Sequence, residues 1–387
     1  MAVVNVEKLE TKHAGKYLAC LTLNRPESLN ALNLEMLKII HSALCEWRTD
    51  DSIVAILINS QGDKAFCAGG DVVALYKGMQ AIKSEQVKHN TDAANFEFVP
   101  KEIDDFFVYE YQTDYMIHTY PKPIIAWGNG YIMGGGMGIY SGADIKIATE
   151  KTKMAMPEVS IGLFPDVGAS YFLNQLPKGV GMFMGLTGVQ LNARDAHCAT
   201  MCTHIIDAAK QAEFKARLLT CEQFTTRSLN DLASEFMDES TEWQGLQSHL
   251  GALSAYQSLY DEQDVKKLDS KFNELFESKL DSAWHCKAKN SYTSASPTAI
   301  AITHRQLIQG SELSLAECFE QETNMVFQSL FNGEFCEGVR ALLIDKDKSP
   351  RWHFDSPESV PKEVIDSFFS FFKDQTHPLF SLAEDFN

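Results

Sequence analysis

The sequence is short of positive charge. It holds 34 lysines and arginines against 52 aspartates and glutamates, a formal net charge of −18. Nucleic acids and anionic membranes need a basic footprint, so neither is expected as a partner. Long apolar runs are missing too. No stretch of eighteen apolar residues occurs, which excludes a membrane-spanning helix. The nine cysteines are odd in number and contain no C-x-x-C pair, which argues against a disulfide framework and for free thiols in a reducing compartment. His197, Cys198, Cys202 and His204 sit close together but lack a second ligand pair at zinc-site spacing. Cys198 and Cys202, four apart, read as one helix face packed in a core, and no metal is expected. The opening MAVVNVEKLE has acidic residues and no apolar centre, unlike a signal or transit peptide, so a cytoplasmic location is the expectation.

What remains is a chain of 387 residues, 45% hydrophobic and 22% charged, enough for one large domain or two with a full core. YLACLTLN and IVAILIN read as buried strands. Between them Asn33 reads as a helix N-cap, followed at helical spacing by Leu37, Ile40, Leu44 and Trp47. Residues 78–101 are polar and without clear period, and read as a long loop. A helix is expected from about Asp104, with Phe107, Tyr111 and Tyr115 on one face and Glu110 beside them. The succession of strand, small-residue turn and helix occurs at 53–76 and again at 123–140, which suggests a repeated ββα unit. From about Ala208 the pattern is almost wholly helical.

Two of those turns share a design. CAGGD (67–71) and MGGGMG (133–138) each end a buried strand in small residues and start a helix at once. Helix starts leave N–H groups unpaired, and small residues let a ligand oxygen reach them. Two such starts facing each other form an oxyanion hole. Close packing of helix on strand, with a sharp turn, is the alternative. A dinucleotide or nucleotide phosphate loop is not: GGGMG is not G-x-G-x-x-G, and the Walker lysine is missing. Glu158 and Asp166 lie among Met154, Met156, Val159, Leu163 and Phe164. Apolar burial raises a carboxyl pKa and suits general acid–base work. Against that, Glu158 reads equally as a loop acid and Asp166 as a helix N-cap.

LNRPESLNALN, KAFCAGGD, the run from GYIMGGGMG to GLFPDVG, and EGVRALLIDKDKSPRW together resemble the crotonase superfamily. MPEVSIGLFPDVG, SPTAIAITHRQL and IDKDKSPRW are similar to its 3-hydroxyisobutyryl-CoA hydrolase branch. The resemblance covers Asn24 to Trp352. It implies an α/β fold: a spiral of ββα repeats over residues 1–207, with a mainly helical region, 208–387, packed on it. It also implies an acyl-CoA substrate, whose thioester oxygen is held by the backbone N–H groups of Ala68 and Gly135. Glu158 then acts as base or nucleophile and Asp166 orients it, the water or the leaving group. Glu110 lines the pocket and holds the substrate's 3-hydroxyl, unless it is a solvated helix glutamate. Arg25, Lys346 and Lys348 hold the CoA phosphates, unless they are solvated surface charges. No metal or organic cofactor is implied, and a homo-oligomer is compatible.

Hydratases of the superfamily use a second glutamate, at the place of Gly138 here. Glycine carries no proton, so hydration is disfavoured while thioester hydrolysis is not. The alternatives are enoyl-CoA isomerisation or hydration, and a catalytically silent CoA-binding scaffold. Release of a free thiol separates hydrolysis from all of them.

Overall fold

The computed structural model describes residues 2–91, 94–238, 246–279, 282–372 and 376–386. The chain enters through an antiparallel pair, β1 (Val4–Glu10) and β2 (Tyr17–Leu23). Then comes α1 (Leu34–Thr49), whose first turn is closed by the Asn33 side chain accepting the Met36 N–H. Its buried stripe of Met36, Leu37, Ile40, Leu44 and Trp47 follows the helical period read from the sequence.

Two full turns of a spiral follow. β3 (Ile53–Ser60) and β4 (Ala65–Cys67) lead into α2 (Val72–Lys88). After α3 (Lys101–His118), β5 (Ile124–Gly128) and β6 (Tyr131–Met133) lead into α4 (Gly135–Ser141). A third pair, β7 (Ile145–Ala148) and β8 (Lys153–Ala155), runs into a tight 3-10 turn at Glu158–Ile161. In each pair the first strand joins a six-stranded sheet and the second a four-stranded one. With β9 (Leu191–Asn192) and β10 (His204–Ile205), the orders are β1-β2-β3-β5-β7-β10 and β4-β6-β8-β9. Pairing is parallel from β2 through β10, and both faces of the large sheet are buried, each in its own apolar cluster. This explains why β3 and β5 are nearly unbroken apolar runs.

Past β10 the described elements are helices, and they split around the sheet. Helices Gln211–Leu219 and Thr226–Asp238 lay Phe214, Leu218, Leu229 and Phe236 on the outer face, against Trp127, Ile125 and Leu57. Helices Pro297–Gly310, Leu315–Asn332 and Glu334–Val339 join the inner core around α2 and α3.

Two expectations fail. Residues 78–88 are not loop but the body of α2, which buries Leu75, Gly78, Met79 and Ile82. Val72, Leu75, Met79 and Ile82 do keep a helical spacing, narrowed to one thin stripe among polar residues. Gly78 is needed there, because a Cβ would collide with Ile103 of α3. Of the expected loop, 92 and 93 lie outside the described residues. Cys198 and Cys202 do not share a helix face either. The helix Ala193–Cys198 ends at the first, which is exposed, and the second is buried beyond it.

Candidate active site

The two small-residue junctions meet. A Cβ on Gly136 would strike the Cys67 carbonyl, and one on Gly135 would come within 3.4 Å of the Gly70 nitrogen. Glycine is needed at Gly69 and Gly134 for another reason, their φ of +111° and +50°. Gly135 is the first residue of α4, so its N–H has no helical acceptor.

On the other junction the expected donor is corrected. The Ala68 N–H already donates to the Leu29 carbonyl at 3.1 Å. Leu32 takes the Gly69 carbonyl, and Asp71 N–H donates to Leu32, so a short bridge runs past Gly70 without using its amide. Among the described residues the Gly70 N–H donates to no backbone carbonyl. Gly70 and Gly135 both line one cavity.

Three carboxyl groups share that space, a cavity of about 320 Å³. Glu110 comes from the middle of α3, and its Oε1 lies 2.5 Å from where a Gly135 Cβ would stand. Glu158 opens the 3-10 turn after β8, and its Oε1 lies 2.8 Å from the corresponding point on Gly134. Its Oε2 is buried with no hydrogen-bond partner among the described residues. Asp166 accepts the Tyr111 hydroxyl at 3.2 Å. All three are nearly enclosed, at 3%, 5% and 6% exposure. The N-cap alternative for Asp166 falls, because Gly168 holds the cap position of the following helix, Ala169–Phe172.

Burial sets the electrostatics. Desolvation pushes the Glu110 and Glu158 carboxyls well above the usual range, with the charge of Asp166 adding to both. Burial raises Asp166 to about 7, while the Tyr111 hydroxyl pulls the other way. Like charges this close cannot all ionise, so near neutrality the three share protons.

The remaining wall is apolar and comes partly from the far end of the chain, through Phe335, Leu342 and Leu343. Lys346 and Lys348 are exposed on the loop that follows, both with left-handed φ. Arg25 is committed within the protein, to the Ala31 carbonyl at 2.7 Å and to Asp71 at 3.4 Å.

One feature of the site escaped the sequence. A Cβ on Gly138 would lie 2.5 Å from the Asp114 Oδ2, so no side chain fits where hydratases carry their second glutamate. Asp114 fills that space from α3 but is fully buried, outside the cavity wall, and among the described residues neither of its oxygens has a hydrogen-bond partner. Its only signal in the sequence is the i, i+4 spacing from Glu110.

The pattern of the enoyl-CoA hydratase/isomerase family matches residues 18–369. The chain is 34% identical to the protein named 3-hydroxyisobutyryl-CoA hydrolase, mitochondrial, of Dictyostelium discoideum, over 94% of this chain and 92% of that one. It is 33% identical to the human protein of the same name, over 90% and 85%. Among solved structures it resembles a carnitinyl-CoA dehydratase from Mycobacterium thermoresistibile, with TM-score 0.79, 27% identity and coverage of 96% and 98%. It also resembles an enoyl-CoA hydratase from Rhodobacter sphaeroides, with TM-score 0.75, 26% identity and coverage of 94% and 97%.

Proposed function

The chain belongs to the enoyl-CoA hydratase/isomerase family, with the crotonase spiral as its fold, and we propose that within it this protein hydrolyses 3-hydroxyisobutyryl-CoA to 3-hydroxyisobutyrate and CoA. The observation that carries the reading is the single reactive arrangement in the cavity. Of the three cavity carboxyls, Glu158 is the one beside the Gly134–Gly135 junction, and Asp114 fills the space at Gly138 where a second base would stand. Adding water across a double bond moves a proton at each carbon. Splitting a thioester needs one nucleophile and a place for negative oxygen.

In this mechanism the thioester oxygen lies between the Gly70 and Gly135 N–H groups. Charge that develops there is stabilised by fixed dipoles in a dry site. Ionised Glu158 either attacks the carbonyl carbon, expelling CoA thiolate and leaving an acyl anhydride that water opens, or takes a proton from the attacking water. Asp166, raised to about 7 and held by the Tyr111 hydroxyl, orients Glu158, the water or the leaving group, and the departing thiolate takes its proton from solvent. Carboxyls and amides suffice for these steps, so the reading draws on no metal or organic cofactor.

Glu110 selects the acyl group. A buried carboxyl costs stability unless something donates to it, and a 3-hydroxyl does so where an alkyl chain cannot. We expect kcat/KM for 3-hydroxyisobutyryl-CoA to exceed that for isobutyryl-CoA by at least about 10²-fold. Glu110→Ala narrows the gap by harming the hydroxylated ester. Equal ratios in wild type and variant would remove Glu110 from this role.

The exposed Lys346 and Lys348 are the cations we assign to the CoA phosphates. Arg25 is held instead by the Ala31 carbonyl and by Asp71. The relatives' names place them in the mitochondrion, so a mitochondrial location competes with a cytoplasmic one. Fractionation of the tagged protein decides between the two.

A further inference from the structure

The turn that carries Asp166 has an unfavourable backbone. Val167, β-branched, has φ of +57°, and Gly168 follows at +86°. A β-branched residue in the left-handed region is a strained outlier and persists only where its surroundings over-determine it. Here two side chains from the helical C-terminal region do so. Glu322, on Leu315–Asn332, accepts the Gly168 N–H at 2.7 Å with one carboxylate oxygen and the Ser170 N–H at 2.8 Å with the other. Gln306, on Pro297–Gly310, donates to the Pro165 carbonyl at 2.6 Å and to the Ser170 hydroxyl at 2.8 Å. Both are fully enclosed. The turn is thus gripped on both sides of Asp166.

We propose that Glu322, seconded by Gln306, is a positioning residue for hydrolysis: it locks the left-handed Val167–Gly168 step and so aims the Asp166 carboxyl at the cavity and Tyr111. This rests on the part assigned above to Asp166. Neither residue lines the cavity, so neither touches substrate. Without the two amide bonds, Val167 relaxes toward an ordinary negative φ, and the Asp166 side chain turns with it.

The test is a mutant cycle on the full-length chain, read by thiol release from 3-hydroxyisobutyryl-CoA. Glu322→Gln keeps the volume but turns one acceptor into a donor facing an amide. We expect kcat to fall about 10- to 100-fold with KM within about twofold, as for a misplaced reactive group. In an Asp166→Asn background the same change costs less than about twofold, because residues that act as one unit are not additive. If Glu322→Gln does not yield folded protein, Gln306→Leu runs the same cycle with the same expectation. Unchanged kcat, or an equal loss on top of Asp166→Asn, overturns the proposal and leaves Glu322 as packing. Full activity in Asp166→Asn alone overturns it differently, by removing the role of Asp166 itself.

Discussion

The ββα spiral and the helical C-terminal region contribute to the same cavity in different ways. On the proposed function the spiral supplies what reacts: Gly70, Gly135, Glu158 and Asp166 all lie on its junctions and turns and line the cavity. The C-terminal region supplies what encloses and aims: Phe335, Leu342 and Leu343 close the wall, and Glu322 grips the Asp166 turn from outside. Chemistry is carried by groups within a few residues of strand ends, where backbone geometry fixes them. Part of the enclosure comes from residues more than 150 positions away, Phe335, Leu342 and Leu343.

The largest effect expected from this division is at Glu158. Glu158→Gln keeps the volume and removes the charge, so kcat drops by at least about 10³-fold while substrate binding holds. Near-normal turnover would place the reactive group elsewhere and break the comparison. A smaller effect of another kind is expected from the far wall. Leu342 and Leu343 line the cavity yet remain 40% and 36% exposed. Truncating both to alanine should raise KM about 5- to 20-fold through lost apolar contact, with kcat within about threefold. A kcat loss as deep as that of Glu158→Gln would show that the two regions are not separable.

The smallest effect sharpens the line between reacting and merely buried carboxyls. Burial, with the charges of Glu110, Asp166 and Glu322, holds the Asp114 carboxyl well above its ordinary value of 3.8. A carboxyl raised on folding favours the folded state below its unfolded pKa, and that benefit is lost as pH rises through the folded value. Asp114→Asn should therefore leave kcat within about twofold and raise stability at pH 8 by about 1–2 kcal/mol, since an unpaired buried acid is removed. The gain should shrink toward pH 4, close to the ordinary value of 3.8, where Asp114 of the unfolded chain also begins to take up its proton. Denaturant melts at the two pH values check this, and equal gains at both would contradict the assignment.

The same division marks what could be read from the sequence. Buried parallel strands show as apolar runs, and the junctions show as glycines where glycine is otherwise unfavourable, so the spiral and both oxyanion-type turns were legible. The family motifs placed Glu110, Glu158 and Asp166, and the structure brings them into one cavity. On the first junction the Ala68 amide is already taken by the Leu29 carbonyl, which moves the proposed donor two residues on, to Gly70. Which amide stays free depends on Leu29, whose own left-handed φ of +53° returns its carbonyl to Ala68. That is a tertiary fact with no local mark. α2 was hidden because most of its surface is solvated, and Glu322 because a buried acid on an amphipathic helix has the same local pattern as a solvated one.

The central claim is thioester hydrolysis selective for a hydroxylated acyl chain, and one measurement tests it most directly. Wild-type protein is mixed with 3-hydroxyisobutyryl-CoA, and separately with isobutyryl-CoA, while free thiol is followed with a thiol reagent. The account predicts one thiol per ester consumed, with kcat/KM for the hydroxylated ester higher by at least about 10²-fold. No thiol release, with the hydroxylated ester instead gaining a double bond, would contradict it. Equal rates for the two esters would leave a general short-chain thioesterase in its place.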